Sequence, residues 1–329
     1  MNTLSPRARL AVVLLAVLLL GGGSLGYVLR AREHATPQQT TADASFTLAG
    51  PRLYYRDGDT GRVAYRPPTP ESAPVTGGPS CERFHAAGDT ALCLQRLPGL
   101  PARADVVVLD RQLHETRRIT LPGIPNRARV SASGRMLAWT MFATGDSYAT
   151  SAFSTRTSIL DLDTGYLVKS MEQIPLTIDG ARYHAPDVNY WGVTFAQDDN
   201  RFYATVATKG RTYLVQGDMA AWSATALREN VECPSLSPDN SRIAFKKRVA
   251  DGPDSPWRLY VLDLRTMTEH PLAEPHSVDD QATWLDDHTI AYALPAPDGH
   301  GTDLWSVPAD GTGSPRLTVP GASSPVATG

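Results

Sequence analysis

Past residue 45 the chain repeats one pattern of apolar and polar positions: an apolar residue, a polar turn, then a short run of β-branched and aromatic residues. The clearest copy is PSLSPDNSRIAFKK, residues 234–247. Residues 81–95, 127–142, 192–206 and 282–294 share its layout. Their leading apolar residues are Phe84, Val130, Phe195, Leu236 and Trp284, and their turns centre on Gly88, Gly134, Asp199, Asn240 and Asp287. These residue types accept a positive φ or cap a turn with their own side chain, so each copy predicts a β-hairpin.

A second hairpin follows each copy. RLYVLDLRTMTEHPL (258–272) is a strand, a polar turn and another strand, and residues 52–66, 104–120, 157–171, 211–227 and 302–318 follow the same plan. The positions that close its first strand, Asp57, Asp110, Asp161, Gln216, Asp263 and Pro308, lie 53, 51, 55, 47 and 45 residues apart. Two hairpins per period make four strands, the content of one β-propeller blade. A doubly wound sheet would need helices between its strands, and no sustained 3.6-residue periodicity occurs after residue 30. A sandwich has no need of six similar four-strand units. The predicted fold is therefore all-β, a six-bladed propeller, with a finer division into seven blades of about 40 residues left open. The first unit lacks its first hairpin. Either residues 45–49 or residues 317–327, which have no repeat partner, would complete a shared blade and close the ring, hiding edges that invite aggregation.

The N-terminus follows a different pattern. Leu10 to Leu29 contains no charged residue, with Arg7 and Arg9 before it and Arg30 and Arg32 after it. Twenty apolar residues rise about 30 Å as a helix, enough to cross a bilayer core. Residues 10–30 are thus predicted as one transmembrane signal anchor, after a short cytoplasmic tail over 1–9 and before a polar linker over 31–45. The competing reading is a cleaved signal peptide, which would make the protein secreted. Its nearest small-x-small site, Ala42-Asp43-Ala44, lies far downstream. The arginines on both flanks give no orientation bias. The short N-terminus and long C-terminal part place the propeller, residues 46–329, outside the cytoplasm.

Charge removes some function classes. Residues 46–329 carry 27 basic and 32 acidic side chains, a net of −5, with no basic stripe interleaved with aromatics. Nucleic acid is not an expected partner.

SPDNSRIAF, WLDDHTIAYA and LYVLDLRT resemble the TolB-type (WD-like) propeller repeat, in which Ser-Pro-Asp-Gly usually precedes a strand. The resemblance spans most of residues 46–329 and is strongest over 234–266. Asn240 stands where that repeat generally has Gly, which keeps access to the left-handed region. The resemblance implies a propeller with a binding or scaffold role in a bacterial cell envelope. It carries over no catalytic residue, because the motif is structural. Hydrolases that use such a propeller as a gate also need an α/β half with a nucleophile elbow, and no Gly-x-Ser-x-Gly stands between a strand and a helix here.

Candidate chemistry is sparse. Cys81 and Cys93 fall on the two strands of one hairpin, opposite or nearly so, and are a disulfide candidate suited to an extracytoplasmic domain. Cys233 is left over as a buried thiol. The Cys-x11-Cys spacing is not a zinc pattern, no metal ligand set is expected, and no cofactor motif occurs. Asp298 to Asp303 (DGHGTD) is a fragment of a calcium loop without the terminal Glu, and reads as a solvent loop. The paired aspartates Asp57/Asp59 and Asp161/Asp163 fall at turns, where carboxylates cap amides. Aligned starts of the innermost strands are Ser80, Arg127, Trp191, Glu232 and Asp280. This mixed set suggests a polar mouth where Arg127, Tyr190, Trp191, Glu232 and Asp280 meet a protein or peptide partner. For Tyr190 and Trp191 the competing reading is packing between blades. For the whole chain it is a propeller enzyme, a hydrolase or lyase acting on a glycan or lactone.

Overall fold

The structure, a computed structural model, describes residues 7, 20–22, 41–67, 73–144, 154–250 and 256–328. The expected transmembrane helix lies outside the described residues except at Leu20, Gly21 and Gly22. Among the described residues no helix is long and apolar enough to cross a membrane.

Thr40–Gly329 forms one compact unit built of six sheets. Each sheet is a blade built on the antiparallel hairpins of the repeat, with one blade completed by the C-terminal strand and one carrying two added strands. Blade 2 runs Arg83–Ala87, Thr90–Leu97, Arg103–Leu109 and Glu115–Pro122. The alternation of burial along its outermost strand, against near-complete burial of Thr90–Leu97 and Arg103–Leu109, marks solvent on one side and neighbouring blades on the other.

The ring closes through the C-terminus. Ala322–Thr328 pairs antiparallel with Arg52–Asp57 and becomes the innermost strand of blade 1, ahead of Arg62–Arg66 and Val75–Ser80. Of the two segments the sequence offered for closure, the C-terminal one supplies the strand. Residues 46–49 form no strand, and Phe46 and Leu48 are instead buried against Tyr54, Val63 and Phe84.

The other innermost strands are Arg83–Ala87, Ile124–Val130, Asn189–Phe195, Glu232–Leu236 and Thr283–Trp284, one for each of blades 2 to 6. Blade 4 is larger than the repeat predicts. An extra hairpin, Leu176–Ile178 with Ala181–Tyr183, adds to its outer edge through a parallel pairing with Ser223–Glu229. The insertion falls in the longest interval of the repeat and leaves blade 3 with only Leu167–Val168 as its outer strand.

Four of the five turns at the repeated Ser-Pro-Asp-Asn position take the positive φ their residue types imply, and Asp287 does not. Gly88, Gly134, Asp199 and Asn240 all have positive φ. Asp239 Oδ1 caps the Ser241 amide at 3.0 Å, and Asn240 Oδ1 accepts the Gln197 amide of blade 4 at 3.0 Å. The Asp239 amide in turn donates to Asp287 Oδ1 of blade 6 at 3.2 Å. One motif thus ties three consecutive blades.

Candidate functional site

Where inner strands converge, their inward side chains must fill or line an axial channel. At the end where these strands finish, the channel widens into a funnel of about 530 Å³. All six blades line it, through Ala327, His85, Arg129, Thr194, Ser235 and Thr283, and the turn residues Gly88, Gln197 and Asn240 ring its mouth. The mouth also carries Arg111, whose guanidinium lies 3.7 Å from Asp89 and whose Nε donates to the Leu48 carbonyl.

Toward the strand starts the channel is filled by charge. Lys246, fully buried, reaches Asp279 Oδ1 at 2.6 Å and Glu232 Oε2 at 3.9 Å, and sits 4.0 Å from the Trp257 ring centroid. Glu232 also accepts the Trp257 indole N–H at 3.2 Å. Arg127 faces Asp280 at 3.7 Å. Burial disfavours an ionised Asp279, but Lys246 and Arg127 outweigh it and hold the carboxyl below the ordinary aspartate range. The buried Glu232 carboxylate is tolerated because a cation stands beside it, whereas the Asp279 side chain is partly open to water.

Arg129 is different. It is 8% exposed, and among the described residues no carboxylate comes within 4.0 Å of its guanidinium. Its Nη1 meets His85 Nε2 at 3.0 Å, its Nη2 donates to the Ala282 carbonyl at 3.5 Å, and its buried Nε has no partner. Burial lowers its pKa to about 10, with Asp280 opposing, so it remains a cation at neutral pH. His85 Nδ1 accepts the Val130 amide at 3.1 Å, and burial and the Arg129 charge push the imidazole well below its ordinary pKa, holding it neutral.

The residues expected at a mouth fall elsewhere. Arg127, Glu232 and Asp280 do come together at the axis, but in the filled stretch, where Arg127 and Glu232 are buried. Tyr190 and Trp191 expose 0% and 1% of their surface, Tyr190 in a cluster between blades 3 and 4 and Trp191 against Phe142, Cys233 and Trp257. They pack blades and present no ring to a partner. Cys81 and Cys93 form a disulfide, and Cys233 is a buried free thiol. Asp57 and Asp161 cap their turns, accepting the Thr60 and Asp163 amides. Among the described residues no group of three or more His, Cys, Asp or Glu side chains could hold a metal ion.

The funnel residues His85 and Arg129 were not singled out from the sequence. A signal existed: in RARV, two arginines two residues apart on a strand share one face, and the inner strand of a blade turns that face to the axis.

No family model matches the chain, and no curated protein matches it. Solved structures do. TolB from Acinetobacter baumannii superposes with a TM-score of 0.59 at 14% identity, over 100% of this chain and 75% of that one. A chain of the nidogen/laminin complex gives 0.54 at 12%, over 85% and 98%. A TolB-like protein from Agrobacterium tumefaciens gives 0.49 at 12% identity, over 82% and 89%. The likeness shows the fold, a six-bladed β-propeller such as TolB has.

Proposed function

We propose that this propeller is a non-catalytic binding or scaffold module of the bacterial cell envelope, held at the membrane by residues 10–30 with the propeller outside the cytoplasm, and that it receives a protein or peptide partner at the funnel face. The observation that carries this reading is the funnel itself, an open cavity lined by all six blades above a channel plugged with paired charges. Such a plug blocks passage along the axis and leaves a shaped, one-ended receptor. The disulfide fits an oxidising compartment. One structure of similar fold comes from a complex, that of nidogen with laminin, which is consistent with a propeller presented to another protein.

A photo-crosslinking residue placed in the full chain tests this reading. Substitution at Asn240 or Gln197, on the funnel mouth, is expected to give a discrete protein adduct in cells. The same residue at Tyr166, exposed on an outer turn of blade 3, is expected to give none. Equal labelling at both places, or turnover of a glycan or lactone by the purified chain that funnel substitutions abolish, would sink it in favour of the enzyme reading.

A further inference from the structure

Three features of the described residues lack a role in the fold. A groove lined by His276, Glu274 and Trp305 holds an exposed imidazole against a buried carboxylate, with His276 Nδ1 2.7 Å from Glu274 Oε1. Ser277 also lines this groove, but its Oγ already accepts the Trp257 amide at 3.2 Å, and among the described residues no metal-holding cluster includes the pair. Buried Cys233 is enclosed. The third feature is the pair Arg129 and His85 in the funnel, and two independent observations there point to the same ligand chemistry.

The first is the unmatched charge. The filled stretch of the channel matches Lys246 and Arg127 with carboxylates, whereas Arg129, just as buried, has none within 4.0 Å. A guanidinium removed from water costs several kcal/mol unless an anion or a full set of acceptors meets it. Along the funnel lining, Asp89 is already engaged with Arg111, so the cavity has one net positive charge near its floor.

The second is a hydrogen-bond conflict. A neutral imidazole carries one N–H and one acceptor nitrogen. Both nitrogens of His85 face donors, the Val130 amide at Nδ1 and the Arg129 guanidinium at Nε2. One contact must therefore fail as a hydrogen bond. An acceptor with two oxygens resolves it: Nδ1 keeps the Val130 amide, Nε2–H donates to the acceptor, and the Arg129 fork donates beside it. A carboxylate has that shape, and paired N–H donors are its strongest recognition.

We propose that the funnel is a carboxylate-binding site in which Arg129 and His85 together hold the group, supplied by the C-terminus of a peptide or by a small organic acid. The cavity of about 530 Å³ is in the range of pockets that enclose drug-sized ligands, and its mouth is open enough to pass an extended chain end. The proposal rests on the reading of the funnel as a receptor and adds the chemistry of what enters it.

The test uses the full chain and two matched pools of N-acetylated tetrapeptides, one with free C-termini and one amidated, read by mass spectrometry after equilibrium dialysis. Succinate binding is followed in parallel by calorimetry. The free-acid pool is expected to be retained about tenfold or more over the amides, the worth of a charge-assisted pair. Arg129→Gln should abolish that preference, and His85→Phe should reduce it. Should Arg129→Gln fail to fold, the acid-to-amide contrast on the unaltered chain still decides. Succinate binding that Arg129→Gln removes, with no peptide retained, upholds the carboxylate site and overturns a peptide as its source. Equal retention of both pools overturns the carboxylate site while leaving the receptor reading intact. Retention of neither peptides nor succinate also overturns the site, and the crosslinking contrast then judges the receptor reading by itself.

Discussion

Gly192 of blade 4 and Cys233 of blade 5 meet at the seam between two inner strands, so closely that a Cβ on Gly192 would stand 2.8 Å from Cys233 Cα. Both residues have positive φ, +64° and +49°, and both sit within β-bulges of their strands. The bulges let neighbouring inner strands approach near the axis, and the Cys233 amide finds Thr205 Oγ1 at 2.8 Å in place of a ladder partner.

Gly192→Ala should therefore destabilise the propeller by about 2 kcal/mol or more, from left-handed strain plus contact with backbone that has no rotamer to change. Urea unfolding followed by tryptophan fluorescence measures it. A loss under about 0.5 kcal/mol, the size of an ordinary surface change, would show that the seam opens freely.

The Cys81–Cys93 disulfide closes a loop of 12 residues in sequence separation around the first hairpin of blade 2. Cross-linking a loop of this size removes unfolded-state entropy worth about 2–3 kcal/mol. The pair Cys81→Ser and Cys93→Ser should lower stability by that order, and reductant should lower the unaltered chain similarly. Thiol counting gives an independent check. The chain has three cysteines. Native protein should react at none rapidly, denatured protein at one, and denatured, reduced protein at three, because Cys233 is buried and free.

The fold was legible because its repeat is local. Turn residues such as Gly88 and Asn240 announce themselves by needing a positive φ, and each hairpin contains its own signal. Ring closure was half legible, since Ala322–Thr328 pairs with a strand some 270 positions away and no local pattern says so. The extra hairpin of blade 4 was hidden in a long interval. The site was least legible. Tyr190 and Trp191 look like partner-binding aromatics in sequence, yet the distinction between a mouth and a seam depends on neighbouring blades. Arg127, expected at a binding mouth, lies buried beside Asp280, and Arg129, two residues later, faces the funnel.

Asn240 carries two duties in the repeated turn: φ of +60° and a side-chain oxygen that accepts the Gln197 amide of the adjacent blade. These separate by substitution. Asn240→Gly keeps the conformation and loses the bond between blades together with the exposed Nδ2 bond to the Pro238 carbonyl, so it should cost about 1 kcal/mol. Asn240→Ala loses both and adds left-handed strain of about 1–2 kcal/mol. Equilibrium unfolding of the two variants should rank Ala below Gly. The reverse order would mean that helical or strand propensity outweighs turn geometry at this corner.

Lys246 is the centre of the channel plug, and its loss should be felt through Glu232 more than through Asp279. The Glu232 side chain is 6% exposed, while that of Asp279 is 42% exposed and can turn to water. Lys246→Met should cost about 3 kcal/mol by leaving a buried carboxylate without its cation. Adding Glu232→Gln should recover part of that loss, a coupling that a double-mutant cycle reads directly. The pH dependence has a definite sign. Asp279 titrates below its ordinary value in the folded chain, because Lys246 and Arg127 outweigh the effect of burial. Its contribution is therefore complete above the unfolded aspartate pKa of about 4 and is lost as pH falls through the lower folded value. Without Lys246 that depression shrinks. The unaltered protein should accordingly lose stability more steeply than Lys246→Met on acidification below about pH 4. Urea midpoints at neutral pH and across the acid range measure this, and parallel acid limbs for the two proteins would show that the plug contributes no charge-linked stability.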